Sequence, residues 1–182
     1  LIASPVKKSE TFYYGSEGSE RADYQKTWKG TTAPTNSVES TSFYFYGSSR
    51  KRASEATLAD TEAMDQSIAF KGDLGLVQAS VLYASIEDNR IAIGLDTYDL
   101  DTRTYFFGSV GEEKQSYSYK YWTDSQDLRV VKETTVYTYA ASGNMTKSTV
   151  YRNDAVASSA GNIPTLIASP VKKSETFYYG SE

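Results

Sequence analysis

The sequence of 182 residues contains no cysteine, no histidine and only 2 methionines. Without cysteine there are no disulfide bridges, no thiolate metal sites and no thiol nucleophiles. Without histidine, the commonest metal ligand and the usual proton shuttle are missing. A serine nucleophile would need lysine as its base, and no Ser-x-x-Lys occurs in a suggestive context. We therefore predict that the protein is not an enzyme and uses no cofactor.

Positive charge and long apolar runs are also scarce. The chain has 19 Lys and Arg against 23 Asp and Glu, a net charge of −4 and a pI near 5.0. The densest basic run is Arg50-Lys51-Arg52, which we interpret as a solvated loop tip. No stretch approaches the roughly 18 apolar residues of a membrane span. We expect no nucleic-acid partner and no membrane span.

Aromatic residues are abundant, with 16 Tyr, 7 Phe and 2 Trp. Aromatic and β-branched side chains suit pleated strands, so the predicted fold class is all-β. Residues 113–121 illustrate the pattern, since Tyr117, Tyr119 and Tyr121 fall on one face of a strand and smaller or charged side chains on the other.

Two further segments are predicted as strands, residues 76–83 and residues 90–94. One short helix is predicted near 54–66, because Glu55, Leu58 and Glu62 are good helix formers.

The strongest feature of the sequence is an exact repeat. The letters LIASPVKKSETFYYGSE occupy residues 1–17 and again residues 166–182, which fixes a period of 165 residues. The chain starts at Leu1 rather than at a methionine, and from the lack of a charged n-region and an apolar h-region we expect no signal peptide in these residues. We interpret residues 1–165 as one period of a longer tandem array and residues 166–182 as the start of the next period.

A shorter repeat lies inside the period. Thr11 to Glu20 aligns without a gap on Thr104 to Glu113, and an aromatic run before a glycine turn recurs about five times, at about 33 residues per unit. Glycine suits such turns because it adopts positive φ at little cost. The predicted repeat turns are Gly15, Gly47, Gly72, Gly108, Gly143 and Gly180, and the predicted inter-repeat aromatics are Phe12, Tyr14, Tyr44, Tyr46, Tyr105, Phe107, Tyr137 and Tyr139.

The string from Tyr139 to Thr146, Tyr-Ala-Ala-Ser-Gly-Asn-Met-Thr, resembles the YD repeat of Rhs and teneurin-type proteins, with Tyr151 downstream. The family core reads Tyr-Asp-x-x-Gly-(Arg or Asn)-Leu, so Ala140 and Met145 depart from it. The resemblance implies tandem β-hairpins wound into a shell, extracellular or secreted, that encloses cargo or serves as a scaffold and catalyses nothing. A generic β-solenoid, or a tube, is the other architecture that the hairpin repeats predict.

Acidic residues offer two candidate sites. Asp96, Asp99 and Asp101 stand within six residues and are weak candidates for a Ca²⁺ site, although the glycine and distal glutamate of an EF-hand loop are missing. Glu112-Glu113 is a carboxylate pair, but neighbours on a strand point to opposite faces, which disfavours acid-base chemistry. A solvated turn is the favoured interpretation of both groups.

Together these features predict a structural repeat of a giant extracellular or cell-surface protein that builds a β-rich filament, tube or stalk. Its partners would be adjacent copies of the same repeat, in one chain or through self-assembly. Two alternatives use the same letters. One is an adhesin or carbohydrate-binding surface module whose exposed aromatics stack on sugars, with a glycan as a less favoured partner. The other is an engineered protein with a duplicated terminal strand.

Overall fold

A computed structural model describes residues 7–29, 37–55, 58–74, 99–123 and 129–179 of the chain. Eleven β-strands lie in these ranges. Their bounds are β1 Ser9–Tyr14, β2 Arg21–Lys29, β3 Ser37–Tyr46, β4 Met64–Lys71, β5 Asp99–Phe107, β6 Lys114–Thr123, β7 Arg129–Tyr139, β8 Met145–Arg152, β9 Val156–Ala160, β10 Ile163–Leu166 and β11 Lys172–Phe177. The all-β prediction is confirmed.

The central strands form because their apolar side chains recur at every second residue. In β3, Thr41, Phe43 and Phe45 are buried while the residues between them are half-buried. The same alternation continues in β4. A period of two puts these side chains on one face of a pleated sheet.

Nine strands form one antiparallel sheet in the order β1-β2-β3-β4-β5-β6-β7-β8-β11, and β9 and β10 form a separate two-stranded hairpin. Among the described strands, β1 and β11 are the two ends of this order and do not pair with each other. The described part of the sheet is therefore open. The predicted solenoid, shell or tube goes beyond this sheet and stays a prediction.

The hydrophobic core lies on one face of the sheet and is centred on β3 to β6. It consists of Phe43, Phe45, Ile68, Phe70, Leu74, Leu100, Tyr105, Tyr117, Tyr119 and Tyr121. Burial of side chains of this size contributes about 1.5–3 kcal/mol each. The core therefore ties the two halves of the sheet together.

The β9–β10 hairpin is anchored to the strands that form this core. The amide of Asn162, at its turn, donates to the Asp65 carboxylate at 2.6 Å and to the carbonyl oxygen of Phe106 at 2.7 Å. Asn162 has a φ of 60°, a left-handed conformation that asparagine tolerates better than most residues. These bonds hold the hairpin against β4 and β5.

The predicted helix near 54–66 is wrong for the residues that the structure describes there, 54–55 and 58–66. They form turns closed by Leu58 N to Glu55 O (3.0 Å) and Glu62 N to Ala59 O (3.1 Å), and β4 begins at Met64. The physical reason is tertiary competition. Arg21 donates to the carbonyl oxygens of Asp60 and Glu62, and the buried Asp23 binds the backbone of Ser54.

The strands predicted at 76–83 and 90–94 lie outside the described residues. Within the described ranges, no helix is long and apolar enough to cross a membrane.

Candidate functional site

Five of the six predicted turn glycines lie within the described residues, and all five have positive φ. The values are 130° at Gly15, 65° at Gly47, 82° at Gly72, 117° at Gly108 and 87° at Gly143. Gly15, Gly108 and Gly143 lie in the short turns between β1 and β2, β5 and β6, and β7 and β8. Gly47 and Gly72 open longer connections, and Gly180 lies outside the described residues.

Gly15 and Gly108 occupy the same local structure. A Cβ added at Gly15 would lie 2.7 Å from the carbonyl oxygen of Ser19, and one added at Gly108 would lie 2.7 Å from that of Glu112. Contacts below 3.0 Å are essentially never made by a real Cβ. Both turns therefore need glycine for space as well as for φ.

The two hairpins around these glycines have the same structure at an offset of 93 residues. Phe12 stacks on Tyr24 with ring centroids 4.2 Å apart. At the equivalent positions Tyr105 stacks on Tyr117 at 4.4 Å. The repeat seen in the sequence is thus also a repeat of side-chain contacts.

Both hairpins also contain a β-bulge at the same position. Because of the bulge, Asp23 in β2 has no residue opposite it in β1. Ser116 in β6 likewise has no residue opposite it in β5. A bulge places an extra residue in one strand and turns its side chain. Both side chains are buried, at 1% and 3% exposure.

The repeat extends through the next two strands. The Tyr46 hydroxyl in β3 donates to the carbonyl oxygen of Ala22 at 2.8 Å. The Tyr139 hydroxyl in β7 donates to that of Gln115 at 2.7 Å. Both residues of the second pair lie 93 positions after those of the first.

The fourth strands, β4 and β8, both start with methionine, at Met64 and Met145. The strands β1 to β4 and β5 to β8 are therefore two equivalent groups of four, which we call the half-repeats.

The predicted inter-repeat aromatics differ in burial. Tyr46 and Tyr105 are buried, and Tyr14 is 49% exposed. The others are half-buried: Phe12, Tyr44, Phe107, Tyr137 and Tyr139. Burial raises the pKa of Tyr46 and Tyr105, and of Tyr119 in the same core, because desolvation penalises the phenolate. Their hydroxyls stay protonated at neutral pH.

A buried ion pair lies in the first half-repeat. Arg52 Nε donates to Asp23 Oδ1 at 3.0 Å, and a second guanidinium nitrogen contacts Oδ2. The Arg52 guanidinium also lies 4.8 Å from the ring centroid of Phe43. Arg52 is only 5% exposed, so the interpretation of this residue as part of a solvated loop tip is wrong. The alternation of β2 gave no sign of it, because the bulge redirects Asp23.

Two of the three candidate calcium ligands lie within the described residues, and each pairs with a lysine. Asp99 pairs with Lys71 at 3.0 Å and Asp101 with Lys120 at 2.8 Å, while Asp96 lies outside the described residues. Across the described ranges, no group of three or more acidic residues is placed to hold a metal ion. Each of the two described carboxylates is instead one partner of a cross-strand charge pair.

Glu113 has a structural contact on each side. Its carboxylate accepts from the backbone N–H of Gly111 at 2.9 Å and from that of Met64 at 3.1 Å, while Glu112 is exposed. Beside Glu113, a cleft of about 390 Å³ separates the β1–β2 turn from the β5–β6 turn. The geometry makes Glu113 a link between its own turn and β4.

The duplicated segment takes one position at each end of the sheet. In its first copy, Ser9–Tyr14 pairs antiparallel with β2. In its second copy, Lys172–Phe177 pairs antiparallel with β8. Identical letters thus serve as two different strands of one sheet.

Comparison with known proteins gives little further information. The chain matches no protein-family description and no curated protein. A solved structure that it does match is a protein of unknown function from Bacteroides fragilis, with 6% sequence identity, a TM-score of 0.42, and coverage of 94% of this chain and 93% of that chain. At that identity and TM-score the likeness supports no statement about what this chain does.

Proposed function

We propose that this chain is a structural repeat whose consecutive periods build an extended β-rich assembly. Its role is mechanical or architectural, it performs no catalysis, and its partners are further copies of the same period. The filament, tube or stalk expected from the sequence belongs to this proposal. So does a location outside the cell or at its surface, which the YD-like string at Tyr139 to Thr146 favours.

One observation supports the proposal above all others. The nine-stranded sheet consists of two half-repeats followed by β11, which lies in the second copy of the seventeen-residue segment that contains β1. A sheet that is already repetitive within one period continues by adding periods. Counting the described strands β1 to β8, each period adds eight strands to the sheet, so at about 4.8 Å per strand it lengthens the sheet by at most about 38 Å.

Electron microscopy of chains with one, two and four consecutive periods tests this function. We expect rods whose length grows by a constant increment with each period. Compact particles, or independent domains at irregular spacing, would contradict the proposal.

Two other functions need different tests. Saturable glycan binding that is lost when Tyr13, Tyr14 and Trp122 are replaced would favour the adhesin, because these aromatic side chains are exposed. The native gene decides the engineered alternative, since a single copy of the seventeen-residue segment in it would favour a designed duplication.

A further inference from the structure

We propose that the duplicated segment is a shared strand, in which residues 174–178 pair with β8 of their own period and, through the other backbone edge, with β2 of a second copy of the period. In that second copy the segment takes the place of β1. This inference rests on the proposed function and specifies how consecutive periods join.

The two copies of the segment use opposite backbone edges. In the first copy, the Trp28 N–H donates to the Lys8 carbonyl oxygen at 3.0 Å, so Lys8 faces β2. In the second copy, the Tyr178 N–H donates to the Thr146 carbonyl oxygen at 2.9 Å, so Tyr178 faces β8.

Backbone groups alternate between the two edges of a strand, and hydrogen-bonded pairs recur at every second residue. Lys8, Glu10 and Phe12 therefore face β2. On β11 the residues that face β8 are Ser174, Thr176 and Tyr178, which correspond to Ser9, Thr11 and Tyr13 of the first copy. The two sets do not overlap, so one strand can satisfy both neighbours at once.

The strand β5 already shows this double pairing within the chain. Its Tyr105 lies opposite Gln66 of β4 on one side and opposite Tyr117 of β6 on the other. Both registers recur at the ends of the sheet, because Phe177 lies opposite Lys147 of β8, and Phe12 lies opposite Tyr24 of β2. Gln66 and Lys147 are equivalent by register, because each lies opposite the residue before the last tyrosine of the preceding strand. Tyr24 and Tyr117 are equivalent by the offset of 93 residues. β5 thus has a neighbouring strand on both edges, whereas β1 has only the neighbour equivalent to β6 and β11 only the neighbour equivalent to β4.

The side chains fit the same arrangement. Glu10 lies directly opposite Lys26 of β2, and its second copy, Glu175, pairs with Lys147 of β8 at 3.1 Å. In a shared strand this glutamate would lie between two lysines from successive periods, an arrangement that favours the contact.

The phenylalanine two residues after this glutamate also fits a shared strand. Phe12 is half-buried against Tyr24, whereas its copy Phe177 is 57% exposed and lacks that partner within the described residues. Pairing with a second β2 would give Phe177 the same stacking partner.

Exposed apolar side chains concentrate in the two copies. Of the ten exposed large hydrophobic residues among those described, seven belong to the duplicated segment: Tyr13, Tyr14, Ile167, Val171, Phe177, Tyr178 and Tyr179. Exposed apolar groups beside an open strand edge mark a surface that another strand covers. The identity of the two segments designates that strand as one from another copy of this chain.

Amide hydrogen exchange of a two-period chain tests the shared strand. The chain consists of residues 1–165 followed directly by residues 1–182, so the junction contains one copy of the segment. In the 182-residue chain the amides of Glu175 and Phe177 face away from β8, so we expect them to exchange quickly, and we expect those of Thr176 and Tyr178 to be protected. At the junction we expect the amides equivalent to Glu175 and Phe177 to exchange at least ~10-fold more slowly than in the single period, with the others still protected.

If these two amides stay as fast as in the single period, or if protection at Thr176 and Tyr178 is lost, the strand keeps one neighbour and the inference fails. Microscopy separates this failure from that of the proposed function. If the chains form rods but the junction amides are not protected, the structural role stands and the shared strand is ruled out. If the junction amides are protected but the particles are compact, the shared strand stands and the structural role is ruled out.

A second variant lacks residues 1–14. Its β2 therefore has an unpaired edge, and its β11 is the strand that can pair with the β2 edge of another copy. We expect it to associate head to tail in sedimentation velocity, while the 182-residue chain stays monomeric. A synthetic peptide of residues 1–17 should cap these assemblies when N-methylated at Thr11, whose amide faces away from β2. The matched peptide N-methylated at Glu10 should not cap them. A folded variant that stays monomeric, or equal effects of the two peptides, would overturn the inference.

Discussion

At the scale of single residues, the buried pair of Asp23 and Arg52 is a contact that is costly to disturb. Both side chains are almost fully buried, and the Asp23 carboxylate also accepts from the backbone N–H and the hydroxyl of Ser54. Removing one partner of such a pair leaves an uncompensated charge in the interior. The pair also fixes the chain that precedes β4.

We predict that Asp23→Ala lowers the free energy of unfolding by about 3–5 kcal/mol, because the buried Arg52 guanidinium loses the carboxylate that compensates its charge. Urea denaturation measures this change. Asp101→Ala is the matched control, since it breaks the more exposed pair with Lys120 and should cost less than about 1 kcal/mol. Equal costs for the two variants would contradict the assignment of a buried pair.

A second prediction concerns the hairpin glycines. Gly108→Ala should cost about 1–3 kcal/mol in unfolding free energy, because its φ of 117° is strained for alanine and the new Cβ would meet the Glu112 carbonyl oxygen. Gly15→Ala should cost the same within error if the hairpins are equivalent. Gly111→Ala serves as the control, because a Cβ there meets no described atom within 4 Å and only its φ of 79° is unfavourable. A Gly111 variant as unstable as the Gly108 variant would refute the steric argument.

The burial of Arg52 could not be predicted from the sequence for a physical reason. Three adjacent cations normally lie in solvent, and the carboxylate that pairs with Arg52 stands 29 residues earlier in the chain. Asp23 reaches the interior through a bulge, which breaks the period of two on which the sequence argument relies. Residue patterns show only local periodicity. The contact between Asp23 and Arg52 depends on strand register, so the patterns do not predict it.

At the scale of elements, β11 is held to β8 partly by charge. The hydrogen bond from Lys147, together with that from Lys172, lowers the pKa of Glu175. The hydrogen bond from Lys173 likewise lowers the pKa of Glu133, on the neighbouring β7. A carboxyl whose pKa is lower in the folded state stabilises that state above its unfolded pKa, and this contribution is lost as pH falls through the folded value.

We therefore predict that β11 detaches before the rest of the sheet in acid. The protection factor of the Thr176 amide, corrected for the intrinsic exchange rate, should fall several-fold as pH drops from about 6 to below the ordinary glutamate pKa of 4.5. In Glu175→Gln the remaining acid sensitivity should be smaller and should come from Glu133. A Thr176 protection factor that is independent of pH would show that these charge pairs do not hold the strand.

The strands were easier to predict from the sequence than the turns at 54–66, because the strand pattern is local and the turns depend on contacts with a distant strand. The alternation at Tyr117, Tyr119 and Tyr121 is local and survives in β6, where all three are buried. The helix-forming composition of 54–66 is equally local, but Arg21 and Asp23, from β2, bind the backbone there. Helix propensity differs by only tenths of a kcal/mol per residue, so such contacts override it.

At the scale of the whole molecule, the exact repeat in the sequence identifies the segment that we propose joins consecutive periods, but it does not show which strands that segment pairs with. The alignment of Thr11 to Glu20 on Thr104 to Glu113 predicted two similar hairpins, and the structure shows the same ring stacking and the same close approach at the turn glycine in both. The opposite edges used by Lys8 and Tyr178 were not predictable. The identical seventeen residues predict that the two strands are alike. Which strand each of them pairs with depends on the topology of the sheet.

The distance between two equivalent positions in consecutive periods shows directly whether one continuous sheet joins them. Thr138 is exposed on β7, so spin labels at position 138 and at its equivalent in a two-period chain can be measured by pulsed electron paramagnetic resonance. If one continuous sheet joins the periods, the eight intervening strand spacings predict a narrow distribution between about 30 and 40 Å, with sheet twist reducing the flat-sheet value. A broad distribution with no dominant distance would contradict the account.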